Sequence, residues 1–288
     1  MGTRNPNDVR NSLVLDFFRF VKAIRPAFFV MENVPGILTD PFRAVLDQGL
    51  DSLGSRYIFV GPLLVDASGY GAATRRIRVV VVGYQPEYVD SISNDDFKVP
   101  SLLNEPTVFD AIHDLQGPEN AVAMDDGHYY APYGLAPVRG KKGEYARRAR
   151  QFPPVGLASE KIRKDRRTGR VFGFNPTKHS NEVIKRFSEL EVGTSDSVSK
   201  CPRLAWDRPS PTLRAGTGSE RGSYQSIRPI HPNQDRVITI REAARIQGFP
   251  DWFQFHHTKW HSFRMIGNSI SPLVAEKLLT LLKTRTSV

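Results

Sequence analysis

The sequence predicts an α/β fold: an open sheet with helices beside it, joined to a second, irregular domain. Three observations predict it. The first 83 residues read helix, strand, helix, strand, strand. The middle, about 116–235, is rich in Gly, Pro and basic residues and keeps one clear periodic segment, 179–191. Order then returns in two helical segments near the C-terminus. A length of 288 residues suits about two domains. The 40% hydrophobic and 24% charged content is that of a globular chain, not a disordered one.

Each element has a local reason. In 12–24, Leu13, Phe17, Phe20, Val21 and Ile24 recur at three- and four-residue spacing, so a helix is expected. Asn11 or Ser12 can cap it, and Pro26 ends it, because the residue before a proline avoids the helical region. "AFFVM", 27–31, does not alternate and is expected to be a strand buried on both faces. A second helix is expected over about 41–54. A strand region follows at 56–65, broken at Gly61 and Pro62, and a third strand at 76–83. Near the C-terminus, 239–249 opens on a Thr N-cap and stops at Gly248 and Pro250, and 271–283 reads as an amphipathic helix.

The net charge of +10 is concentrated. Residues 139–170 hold twelve Lys or Arg against three acids. A solvated basic face would explain this, but so dense an excess points to a polyanion, nucleic acid first. Tyr145 and Phe152 are the only aromatics interleaved there, so phosphate contact along a duplex fits better than base stacking. Arg139, Lys141, Lys142, Arg147, Arg148, Arg163, Lys164, Arg166 and Arg167 are the candidate DNA contacts. No apolar run approaches the roughly 20 residues of a membrane span. The first ten residues lack a signal-peptide core, and Pro6 stands where a myristoylation signal needs Ser or Thr. A soluble, cytoplasmic chain without a membrane partner is expected. One cysteine, Cys201, excludes an internal disulfide framework and a Cys-based metal cluster within the chain, and no metal is expected.

Two features bear on chemistry. "RPAFFVMENVPGIL", 25–38, ends an apolar strand in Glu32 and Asn33. Ligands of open α/β sheets bind outside the carboxyl ends of the strands. A carboxylate there is expected to be partly desolvated, with a raised pKa, and able to donate a hydrogen bond near neutrality. Capping the next helix is the alternative. Arg76 and Arg78 stand two apart before a run of valines, so they are expected to share one face and to need anions or carbonyls; structural salt bridges are the alternative. For all three side chains to face one pocket, strands 27–32 and 76–83 must run antiparallel.

Together these segments resemble the DNA cytosine-5 methyltransferases. "FFVMENVPGIL" is similar to that family's strand ending in Glu-Asn-Val, and "YGAATRRIRVVVVG" to its Gln-x-Arg-x-Arg segment. "DRPSPTLRAG", "RVITIREAARIQGFPDWF" and "RMIGNSISPLVAEKL" resemble its C-terminal signatures in order, and "DVRNSL" the segment before the Glu-Asn-Val strand. Thr74 stands where the family has Gln, and alanines precede it in place of Val-Pro.

The resemblance implies an incomplete Rossmann-like class I methyltransferase sheet, its N-terminal strands missing, with a second, irregular target-recognition domain. Residues 1–115 would be the C-terminal part of the catalytic domain, 116–235 the DNA-binding domain, and 236–288 a return segment packing on the catalytic domain. It implies methyl transfer from S-adenosylmethionine to carbon 5 of a cytosine flipped out of duplex DNA, as in restriction-modification. Glu32, Asn33, Arg76 and Arg78 would form the catalytic site. Glu32 would contact the amino edge and nitrogen 3 of the base, Arg78 its 2-carbonyl oxygen, and Arg76 would help order the site. Leu13, Asn268, Ser269 and Ile270 would line the cofactor pocket. The family's nucleophile lies in a Pro-Cys-Gln turn upstream of "MGTRNPNDVRNSL", with the Gly-rich cofactor loop. Cys201, in "SKCPRLAWDRP", matches neither the order nor the place. Three expectations follow: a truncated enzyme, one subunit of a split enzyme whose partner carries the nucleophile, or a non-catalytic sequence-specific DNA-binding derivative. In each case the chain alone is expected to be inactive.

Overall fold

A computed structural model of the chain describes residues 12–98, 105–133, 143–215 and 228–287. It divides into two compact units. One comprises Met1–Asp66, Ile77–Pro100 and Val274–Val288, the other Ala67–Arg76 and Ser101–Leu273.

The first unit follows the expected order: α1 (Ser12–Ile24), β1 (Phe28–Asn33), α2 (Phe42–Asp51), β2 (Ile58–Asp66) and β3 (Ile77–Tyr84). The sheet order is β1-β3-β2, with both pairings antiparallel. So the required direction of 76–83 against 27–32 is observed, with Glu32 opposite Val80. The four valines, 79–82, are at most 2% exposed, as a central strand requires. The register of β2 shifts between Val60 and Leu63, where Pro62 lacks the N–H a ladder needs. β1 corrects the sequence reading. Phe29 and Met31 are buried, while Phe28 and Val30 are half-buried, so the strand does alternate. Its inner face packs with Phe18 and Val21 of α1, Leu46 of α2, and Val79 and Val81 of β3. Burying side chains of this size contributes about 1.5–3 kcal/mol each.

The second unit contains α3 (Val108–Ile112), β4 (Val122–Ala123), β5 (Tyr129–Pro132), α4 (Glu144–Ala149), α5 (Glu160–Arg167), β6 (Arg170–Phe172), α6 (Asn181–Ser188), α7 (Ile240–Ile246) and α8 (Lys259–Asn268). β4, β5 and β6 form a second antiparallel sheet in that order. The middle is thus more regular than its sequence suggests. Strands of two to four residues and helices of six to eight are too short to display a period. α7 begins on a reciprocal cap: Thr239 accepts from the Glu242 backbone N–H, and Glu242 from that of Thr239. Its Ile240, Ala243, Ala244 and Ile246 join Val108, Ala111 and Ile112 of α3 in one core. This packing assigns 101–115 and 236–273 to the second unit, so the unit borders differ from the expected 1–115, 116–235 and 236–288. α9 (Pro272–Arg285) closes the order. The Arg285 carbonyl accepts from the Asp90 N–H, and Arg285 pairs with Asp96 at 2.8 Å.

Among the described residues, no helix is long and apolar enough to cross a membrane, and no cluster of three or more His, Cys, Asp or Glu could hold a metal ion.

Candidate active site

Glu32 stands at the carboxyl end of β1, and Arg78 near the start of β3. The antiparallel pairing brings them together: Arg78 Nε lies 2.7 Å from Glu32 Oε1, with the side chains 13% and 28% exposed. Arg78 Nη1 also donates to the Ile77 carbonyl at 2.8 Å. Burial pulls the Arg78 pKa below its ordinary value, and Glu32 works against that shift. Glu32 is no helix cap. The short turn Pro35–Leu38 starts after Val34 and has no side-chain cap. Asn33 serves the backbone, its Oδ1 accepting from the Val34 N–H at 2.8 Å. A half-desolvated carboxylate beside a planar guanidinium fork can recognise a flat ring that presents acceptor and donor atoms on one edge.

Arg76 has another task. It lies before β3, is 1% exposed, and donates to the Leu213 carbonyl at 3.1 Å and the Gly267 carbonyl at 2.6 Å. The Arg76 carbonyl accepts from the Ala67 N–H at 3.0 Å, just beyond the Asp66–Ile77 pairing of β2 and β3. Gly267 is a close approach. A Cβ there would lie 2.5 Å from the Ala215 nitrogen and 2.6 Å from its Cα. The 213–215 backbone therefore lies on the last turn of α8, held there by Arg76.

Of the expected cofactor residues, Asn268 ends α8 with its amide exposed, and Ser269 is the C-cap. The Ser269 carbonyl accepts from Gln247 Nε2 at 3.2 Å, while the buried Gln247 Oε1 has no hydrogen-bond partner among the described residues. Ile270 is half-buried, and Leu13 is 61% exposed on α1.

The basic segment is partly described; Arg139, Lys141 and Lys142 lie outside the described residues. Arg147 and Arg148 on α4, and Lys164 and Arg167 on α5, are exposed. Arg163 is half-buried and donates to the Pro154 carbonyl at 2.6 Å. Arg166 is a correction. At 7% exposure it donates to the Arg150 carbonyl and lies over the rings of Tyr133 and Phe152, so packing removes it from the surface set.

The sequence reading missed the framework around α7. Arg245, fully buried, grips Asp251 through Nε at 2.5 Å and Nη2 at 2.7 Å, and Asp114 through Nη1 at 3.1 Å. These two acids raise its pKa against the pull of burial. Arg150 completes the Asp114 pairing at 2.6 Å. Arg241 donates to the carbonyls of Phe172, Pro250 and Phe253, and burial lowers its pKa to about 10. The four-residue spacing of Arg241 and Arg245 within an apolar helix was the available signal. Cys201 is buried with Phe187, Ile230 and Val237, its Sγ 3.7 Å from the Ser199 carbonyl.

The chain is similar to known proteins along most of its length. Type II methyltransferase M.XorII of Xanthomonas oryzae pv. oryzae is 35% identical over 291 residues, which cover 96% of this chain and 62% of that protein. Type II methyltransferase M.DdeI of Desulfomicrobium norvegicum is 30% identical over 302 residues, covering 96% and 68%. A crystal structure of a prophage-encoded E. coli protein, described as a DNA modification methyltransferase, superposes with a TM-score of 0.83 at 35% identity, covering 96% of this chain and 75% of that one. The chain thus spans about three-fifths of M.XorII, 62% of its length. Residues 2–284 match the profile of a family that uses S-adenosylmethionine as methyl donor. The chain belongs to that family, the C-5 cytosine-specific DNA methylases.

Proposed function

We propose that the chain forms the base-binding and DNA-recognising part of an enzyme that methylates carbon 5 of cytosine in duplex DNA. The observation that carries this reading is the Glu32–Arg78 pair at the carboxyl end of β1, within a chain matched to the family over residues 2–284. In the reaction, Arg78 turns its donors to the 2-carbonyl oxygen of a flipped cytosine. Glu32 accepts from the 4-amino group and holds a proton at nitrogen 3. That proton draws electrons from the ring and opens carbon 6 to a thiolate, which makes carbon 5 nucleophilic. Asn33 keeps the turn after Glu32 in place through the Val34 N–H. When bound, S-adenosylmethionine would supply the methyl group to carbon 5, after which a base takes the hydrogen of that carbon and the thiolate leaves carbon 6. Leu13, Asn268, Ser269 and Ile270 would hold it, and Arg76 fixes the turn at the end of α8 through the Gly267 carbonyl. The target base must leave the stack first, at a cost of a few kcal/mol.

The thiolate is supplied by polypeptide outside these 288 residues, as a preceding segment or a second subunit. The burial of Cys201 among Phe187, Ile230 and Val237 supports this. On the same reading, β1-β3-β2 is one end of a larger Rossmann-like sheet whose other strands accompany the nucleophile, and 116–235 reads the target sequence. The exposed cations Arg147, Arg148, Lys164 and Arg167, joined by Arg163 and by Arg139, Lys141 and Lys142, meet the DNA backbone. The test is methyl transfer from labelled S-adenosylmethionine to duplex DNA. The 288-residue chain alone should give none. Added polypeptide carrying a Pro-Cys-Gln turn should restore it, and Glu32→Gln should then slow the chemical step while duplex binding stays. Turnover by the chain alone that survives Cys201→Ser would refute the account of the nucleophile.

A further inference from the structure

Between α4 and α5 the chain makes a hydrogen-bonded turn at residues 154–157, in which the Leu157 N–H donates to the Pro154 carbonyl at 3.2 Å. Gly156, its third residue, has φ +84°, the mark of a type II turn, and none of the described residues lies within 4 Å of where its Cβ would be. Pro153 and Pro154 fix the approach, and Arg163 Nη2 clamps the Pro154 carbonyl at 2.6 Å. This hydrogen-bonded turn leaves apolar side chains in solvent: Val155 is 96% exposed and Leu157 63%. A scattered exposed apolar residue needs no explanation, but two on one clamped tip do. In sequence, α4 carries the exposed cations Arg147 and Arg148 before the turn and α5 carries Lys164 and Arg167 after it, Arg167 lying 3.4 Å from the exposed Glu160.

We propose that this turn is an apolar wedge that enters the base stack of duplex DNA while the cations of α4 and α5 hold the phosphates on either side. The proposal rests on the DNA reading above and goes beyond it, since it gives two uncharged residues the task of deforming the duplex. Proteins that kink DNA insert side chains of this kind between base steps, and the unstacking cost of a few kcal/mol per step is offset by the wider contact that follows. A pre-formed turn suits the task, because little ordering remains to be done on binding. Charge selects a polyanion as the occupant, and membership of a DNA methylase family favours duplex DNA over a lipid surface.

The test uses the 288-residue chain and a closed circular plasmid relaxed by topoisomerase in its presence. Wild type should leave a linking-number change per bound chain, and the double variant Val155→Ser/Leu157→Ser should lose most of it. Affinity for a linear duplex should keep the same salt slope in both, because the slope follows the phosphates neutralised, which the variant leaves alone. A wild-type chain that fails to bind duplex at low salt would remove the DNA reading itself. Binding without a linking-number change, or with the same change in the variant, would overturn the wedge and leave the DNA reading standing. Insertion into anionic phospholipid vesicles that only the variant loses, with linking number unaffected in both, would overturn it in favour of a lipid surface.

Discussion

Acidification from pH 7 to pH 5 should weaken the second unit, and His231 should account for much of the loss. His231 is 9% exposed. Its Nδ1 accepts from the Asn233 backbone N–H at 3.2 Å, and its ring meets that of Trp206 edge-on at 5.4 Å. Burial lowers its pKa from 6.5 to about 4; Arg236 and Arg203 push the same way, while Glu242 and Glu119 oppose them. The unfolded chain therefore takes up a proton near pH 6.5 that the folded chain refuses until about pH 4. This contribution is complete above the unfolded pKa and is lost as the pH falls through the window towards the folded one. At ~1.4 kcal/mol per pK unit the whole window is worth about 3 kcal/mol, and the step from pH 7 to pH 5 about 2 kcal/mol. The assay is urea unfolding of wild type and His231→Gln across that range. The wild type should lose about 2 kcal/mol more than the variant. A lower starting stability of the variant does not matter, because the slope is what is read. His128 and His179, whose pKa values burial also lowers, titrate in both proteins and cancel. Equal pH slopes would refute the reasoning.

Two further substitutions probe the framework. Arg245→Met removes the fully buried guanidinium between Asp114 and Asp251, leaving Asp251 with Arg241 at 3.7 Å. It should cost about 3–5 kcal/mol by urea unfolding, and a loss under about 1 kcal/mol would show that the ion cluster is dispensable. Gly267→Ala places a methyl group against the Ala215 backbone and should cost about 1–3 kcal/mol. An unchanged melting temperature would mean that the 213–215 loop yields freely.

The first unit was readable because its elements are long enough to show their period. α1 matched 12–24, and β3 matched 76–83 to within one residue. Glu32 and Arg78 were legible as a pair because a strand end fixes where both side chains can be. Arg76 was not, since its partners, Leu213 and Gly267, lie on segments whose return to it leaves no trace in local spacing. Asp114 was missed for the same reason: its partners Arg150 and Arg245 are 36 and 131 residues away. Among the basic residues, composition could not separate Arg166, taken inside by Tyr133 and Phe152, from the exposed Arg167 beside it.

The bonds of Arg76 also set an order of events during synthesis. Leu213 lies 137 residues after Arg76, and Gly267 lies 191 residues after it. A ribosome adding about 5–20 residues per second needs roughly 10–40 s to travel from the arginine to the second acceptor. Through that interval β1, β3 and β2 can already pair, because everything they need is translated early. The segment around Arg76 can take its final place only once α8 has emerged. Its docking is therefore a late step on the nascent chain, and stalling before residue 267 would leave a formed sheet and an Arg76 guanidinium without the Gly267 carbonyl it binds in the finished fold.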